Sequence, residues 1–110
     1  MAERRQHPRK KVTQPVAVMD HDREVLLGYL VDISLSGFML LCSTPLEINR
    51  VFQLGLELPP ACGGQSVRLG AESLWRENSN DPGKYWAGFQ IIDISPENLE
   101  RIKRLMDDYL

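Results

Sequence analysis

Residues 51–58 read VFQLGLEL, with Phe52, Leu54, Leu56 and Leu58 set against Val51, Gln53, Gly55 and Glu57. An apolar residue at every second position places the large side chains on one face of an extended chain, because successive Cβ atoms of a strand point to opposite sides. The segment therefore reads as a strand with one buried face. Similar stretches flank it. VTQPVAVMD (12–20) alternates weakly and is followed by the turn-prone DHDRE. VLLGYLVDI (25–33) is rich in β-branched and aromatic residues, with a break expected at Gly28, and GFMLLCS (37–43) is a further apolar strand. On the other side, SVRLGAESLWRE (66–77) sets Val67, Leu69 and Ala71 on one face, and YWAGFQIIDI (85–94) is the last strand candidate. TPLEINR, PPACGGQ and NSNDPGK punctuate them as connections. Strands at such regular spacing suggest a barrel or a sandwich.

The end of the chain changes period. In SPENLERIKRLMDDYL (95–110), Ser95 is placed to cap, Pro96 takes the first helical position and Glu97 sits in the first turn. Leu99, Ile102, Leu105, Met106 and Tyr109 recur at helical spacing, so one amphipathic helix closes the chain. Such a stripe suits a lid over one mouth of a barrel better than a membrane-surface or partner-binding helix.

Length and composition bound the rest. The 110 residues, 43% hydrophobic and 25% charged, suit one globular domain with a modest core. No apolar run approaches the roughly 18 residues of a membrane span, and the basic start lacks the apolar stretch of a secretory signal, so a cytoplasmic protein without membrane insertion is expected. Cys42 lies in an apolar run and Cys62 in a Pro/Gly loop. Two free thiols are expected, and His7, His21, Cys42 and Cys62 have no metal-finger spacing, so neither a metal nor a cofactor is expected.

Charge is distributed unevenly. Residues 1–11, MAERRQHPRKK, hold Arg4, Arg5, Arg9, Lys10 and Lys11 against Glu3, a local charge of +4, whereas the remaining chain has eight Lys and Arg against fourteen Asp and Glu, or −6. This reads as a flexible basic arm, residues 1–11, ahead of a barrel over 12–94 and a helix over 95–110. Pro8 forbids a regular helix through Arg5 and Arg9, so their guanidinia are free to grip different groups of one ligand. Arginine's planar fork matches phosphate oxygens and also the O6/N7 edge of guanine, and a guanine nucleotide offers both. With a body of −6, 7% aromatic residues and no base-stacking or helix-turn-helix pattern, a small dianion fits better than a nucleic acid.

Asp32, Ser34 and Gly37 form D-x-S-x-x-G in VDISLSG. The carboxylate suits the N1–H and N2–H donors of guanine, the hydroxyl a phosphate or base, and the glycine a close backbone approach or a positive φ. Alone, the motif has an ordinary structural explanation, an Asx or Ser/Thr turn at a strand end.

Together, R-x-x-x-R at Arg5 to Arg9 and D-x-S-x-x-G at Asp32 to Gly37 resemble the PilZ-domain family of cyclic di-GMP receptors, over nearly the whole chain. LWRE and YWAGFQI look like that family's paired later strands, with Gly88 matching its glycine and Ile91 departing from a phenylalanine at a core position. The resemblance implies an all-β fold with a terminal helix, a six-stranded antiparallel PilZ-type β-barrel closed by the C-terminal helix. It also implies that Arg5 and Arg9 grip phosphate and guanine, and that Asp32, Ser34 and Gly37 form the barrel-side half of the site. Arg4 is expected to be a further contact, one that favours two stacked cyclic di-GMP molecules per chain by offsetting their phosphate repulsion. Trp75 is expected either to stack on a base or to be an amphipathic barrel residue, with nothing in the sequence to choose between them. The expected function is that of a receptor or adaptor whose arm orders on ligand binding and signals to an unidentified downstream protein. A nucleic-acid-binding barrel and a ligand-free interaction module are the alternatives. No G-x-S-x-G elbow or glycine-rich phosphate loop accompanies Ser34 or Ser36, so no enzyme is expected.

Overall fold

The computed structural model describes residues 8–110, so Arg4, Arg5 and His7 lie outside the described residues. The chain runs through β1 (Lys10–Lys11), β2 (Ala17–Asp20), β3 (Val25–Ile33), β4 (Gly37–Cys42), β5 (Val51–Glu57), β6 (Ser66–Asn78) and β7 (Tyr85–Asp93) to the helix α1 (Pro96–Arg104). The pairing order β3-β2-β5-β6-β7-β4 returns from β4 to β3, with every pair antiparallel. Six strands thus close a ring under one C-terminal helix, the architecture that the resemblance implies. The two-residue β1, which holds the last residues of the expected arm, pairs with β3 beyond the end of β2, Lys10 opposite Ile33 and Lys11 opposite Asp32.

Period two is what fills the ring. Phe52, Leu54 and Leu56 of β5 point inward with Val67, Leu69 and Ala71 of β6, while Val51 and Gln53 face out. Phe38 and Phe89 stack at 5.2 Å between centroids, and Phe52 meets Phe89 edge-on at 5.8 Å. Burying each such side chain contributes about 1.5–3 kcal/mol. Ile91, the departure noted in the sequence, is partly buried and packs on this core. Cys42 and Cys62 are free and buried, and burial pushes the Cys42 thiol up to about 11.

The strand does not break at Gly28, as the sequence had suggested; β3 runs through it. A Cβ there would stand 2.6 Å from the Leu41 carbonyl oxygen, so the glycine serves a close strand pair. The irregularities in β3 are two bulges instead, one between Leu30 and Asp32 against β4 and one beside Gly28, where Leu27 is the extra residue between the partners of Val18 and Met19.

Ser95 caps α1 by accepting a hydrogen bond from the Asn98 amide at 3.1 Å, with Pro96 and Glu97 in the first turn. Ile102, Leu105 and Met106 are buried against the barrel. After Arg104 the winding widens to i→i+5 over Leu105–Tyr109. The wider turn carries Tyr109 off the stripe, and it is exposed. Asn98 also ties the helix to the barrel by donating to the Arg68 carbonyl at 2.9 Å. Among the described residues no helix is long and apolar enough to cross a membrane.

Candidate functional site

The second arginine of the R-x-x-x-R motif reaches the barrel. Arg9 Nη1 donates to Asp32 Oδ1 at 2.7 Å, and the two side chains are 26% and 24% exposed. The bulge of β3 against β4 makes this meeting possible. Leu30 lies opposite Leu40, and the extra residue brings Asp32, rather than Val31, opposite the outward-facing Met39. The Nε of Arg9 is buried and has no acceptor among the described residues. A charged donor in that position is costly unless an acceptor meets it. Among the described residues, Arg9 thus spends an Nη1 donor on Asp32 and leaves Nε without an acceptor.

Ser34 is committed to the turn between β3 and β4. Its hydroxyl oxygen accepts from the Ser36 and Gly37 amides, both at 3.2 Å, and lies within 3.2 Å of the Gly37 carbonyl oxygen, to which it can donate. The Ser34 amide donates to the Gly37 carbonyl at 2.8 Å. This is the Ser/Thr turn that the motif by itself suggested, and Ser34 is 1% exposed within it. Gly37 answers the other question raised by the motif. Its φ is not positive; instead, a Cβ would stand 2.5 Å from the Phe89 carbonyl oxygen, so close backbone approach is what requires glycine.

Trp75 joins these residues through strand register. Trp75 lies opposite Gly88, Gly88 opposite Met39, and Met39 opposite Asp32. Cross-strand partners share a face, so the four positions form one outward row over β6, β7, β4 and β3. At about 4.8 Å per strand the row spans roughly 14 Å from Trp75 to Asp32. A bulge between Ser73 and Trp75 turns both Leu74 and Trp75 outward, leaving Trp75 38% exposed. Of the expected site residues, then, the fold brings Arg9, Asp32, Ser34, Gly37 and Trp75 to one side of the barrel. The expected contacts Arg4 and Arg5 lie outside the described residues.

Met39 and Gly88, which complete the row, were not singled out as site residues. Alternation in GFMLLC sets Met39 apart from Phe38 and Leu40, and that was the signal available for it. One step along the strands, Tyr29, Leu41 and Trp86 form a second outward row. The surface combines the Arg9 guanidinium, the Asp32 carboxylate and the exposed Trp75 indole, a set suited to gripping a charged, planar molecule. Among the described residues no cluster of three or more His, Cys, Asp or Glu could hold a metal ion.

Comparison with known proteins matches this arrangement to one family. The PilZ domain model fits residues 3–108. No curated protein matches the chain in sequence. Among solved structures, the chain resembles the PilZ domain with c-di-GMP of YcgR from Escherichia coli at 18% identity and a TM-score of 0.73, covering 94% of this chain and 89% of that one. It resembles the K. pneumonia MrkH–c-di-GMP complex at 17% identity and a TM-score of 0.76, covering 97% and 52% of the two chains. The third is the Bacillus subtilis inhibitor of motility MotI/DgrA, at 17% identity and a TM-score of 0.72, covering 97% and 53%. The chain thus spans about half the length of two of these proteins, and at such identities the likeness is one of fold.

Proposed function

We propose that this chain, which belongs to the PilZ domain family, is a receptor for cyclic di-GMP that acts in the cytoplasm and signals to a downstream protein. The observation that carries the proposal is the Arg9–Asp32 pair, which joins the two halves of the ligand motif while leaving the buried Nε of Arg9 without an acceptor among the described residues. Arg5 and Arg9 grip phosphate oxygens and the O6/N7 edge of guanine, and Asp32 accepts from the guanine N1–H and N2–H groups. Ser34 and Gly37 shape the turn that presents Asp32, and Trp75 stacks on a base at the far end of the row. Bridging Arg5 and Arg9 to Asp32 docks the arm on the barrel, and the surface so formed is what the partner reads. With Arg4 beside Arg5 the site takes two stacked ligand molecules, because a third guanidinium offsets the repulsion between their phosphates. The ligand is bound and not turned over.

Calorimetric titration with cyclic di-GMP tests this directly. Saturable binding is expected, with weak or no binding of guanosine monophosphate and cyclic di-AMP and a shallow dependence on salt; absence of heat and of amide shifts at high ligand concentration overturns the reading. A steep salt dependence belongs to a polyanion site instead. Native mass spectrometry should find two ligands per chain, falling toward one in Arg4→Leu, and a one-to-one wild-type complex removes the paired-ligand part.

A further inference from the structure

We infer that Gly88 is a positioning residue for the binding surface: it is the seat on which the Trp75 indole lies, and its missing side chain sets the direction in which that ring faces. The inference rests on the receptor reading above for what the ring meets, but the seat itself is a matter of packing. A Cβ on Gly88 would overlap Nε1 and Cε2 of Trp75 and stand 2.8 Å from Cζ2. Three atoms of one rigid bicycle thus cover the Gly88 Cα, so the indole rests across the backbone of β7 and not beside it. Contacts that close with the body of an aromatic ring are not relieved by a small rotation of a side-chain tip.

The backbone that carries the indole is held in place. Register sets Trp75 opposite Gly88, and the bulge just before it is pinned through Ser73, whose hydroxyl donates to the Glu47 carbonyl at 2.7 Å and accepts from the Arg50 amide at 3.2 Å. One face of the ring is covered by strand backbone, while Trp75 stays 38% exposed. A ring with one face covered and the other open, in the same outward row as Asp32, is a preorganised stacking platform for a planar heterobase. A methyl group at position 88 tilts the ring away from the sheet and spoils that platform without touching any charged contact.

The test is a double-mutant cycle of Gly88→Ala and Trp75→Ala in the full chain, read by ligand-free melting and by titration with cyclic di-GMP. Gly88→Ala should lower the melting temperature in the presence of Trp75 and leave it nearly unchanged in the Trp75→Ala background, where the methyl group has space. Each single variant should weaken cyclic di-GMP binding roughly tenfold, and the double variant no further than Trp75→Ala alone. In a Trp86→Phe background, ligand should quench the remaining indole fluorescence, and Gly88→Ala should reduce that quench at saturation, which a general loss of stability would not do. If Gly88→Ala alone fails to fold, recovery of the fold in the double variant supports the seat and failure to recover overturns it. Equal melting costs in both backgrounds, or wild-type binding with an unchanged Gly88→Ala affinity, overturn the positioning role and spare the receptor reading. A wild type that binds no cyclic di-GMP removes the receptor reading and the ligand role of the platform together.

Discussion

Two serines sit at breaks in the strand ladder, and both are buried: Ser34 at the β3–β4 turn, 1% exposed, and Ser73 at the bulge of β6, 0% exposed. Each hydroxyl replaces ladder hydrogen bonds that the irregular backbone cannot make. They differ in reach. Among the described residues, the Ser34 hydroxyl bonds only to Ser36 and Gly37, two and three residues away, whereas that of Ser73 bonds to the backbone of Glu47 and Arg50, 26 and 23 residues away. The local device holds the turn that presents Asp32; the distant one pins the 46–50 loop against the strand that presents Trp75. A local device leaves its spacing in the sequence, and a distant one leaves a lone serine.

Four substitutions separate the two devices, from the largest expected effect to the smallest. Gly37→Ala forces a Cβ toward the Phe89 carbonyl, backbone against backbone, and should cost about 3 kcal/mol, a fall of roughly 15 °C in melting temperature measured by circular dichroism. Asp32→Ala leaves the Ser34 turn in place but removes the partner of Arg9; cyclic di-GMP affinity should fall by about 2 kcal/mol, roughly thirtyfold by calorimetry. Stability should change little, because the pair is partly exposed. Ser73→Ala leaves the Glu47 carbonyl and Arg50 amide short of a partner and should cost about 1.5 kcal/mol in urea unfolding, with faster amide exchange over residues 46–50. Ser34→Ala should cost about 1 kcal/mol, and exchange should quicken only at Ser36 and Gly37, the two amides that lose their acceptor. Should Ser73→Ala prove milder than Ser34→Ala, or loosen only its own neighbours, the contrast between distant and local devices collapses.

The same contrast explains what was legible beforehand. Phe52, Leu54 and Leu56 announced β5 by alternation, and the Ser95 cap with Pro96 announced the helix, because each signal lies within a few consecutive residues. The closed six-stranded barrel was implied once the arginine and aspartate motifs were taken together as a family resemblance, but the order of its strands was not. The row from Trp75 to Asp32 was not legible. Parity along β3 and β6 is reset by bulges at Leu30/Asp32 and Ser73/Trp75, so counting residues does not say which side chains share a face. Gly28 misled for a related reason: a glycine in a strand pattern signals a break or a close approach, and only the partner strand decides between them.

The order of strands around the ring also fixes the order in which the molecule can be completed. β3 and β4 pair as a hairpin early in the chain, and β5 pairs with β2 and then with β6, but nothing joins β6 to β4 until β7 arrives between them. During synthesis the nascent chain through Asn78 therefore has open sheet edges at β4 and β6, the kind of exposed ladder that invites pairing with other chains. Residues 85–93 remove both edges in one step. That same strand carries Gly88, which links Trp75 to Met39 in the outward row, so the barrel loses its vulnerable edges at the moment that row is first complete.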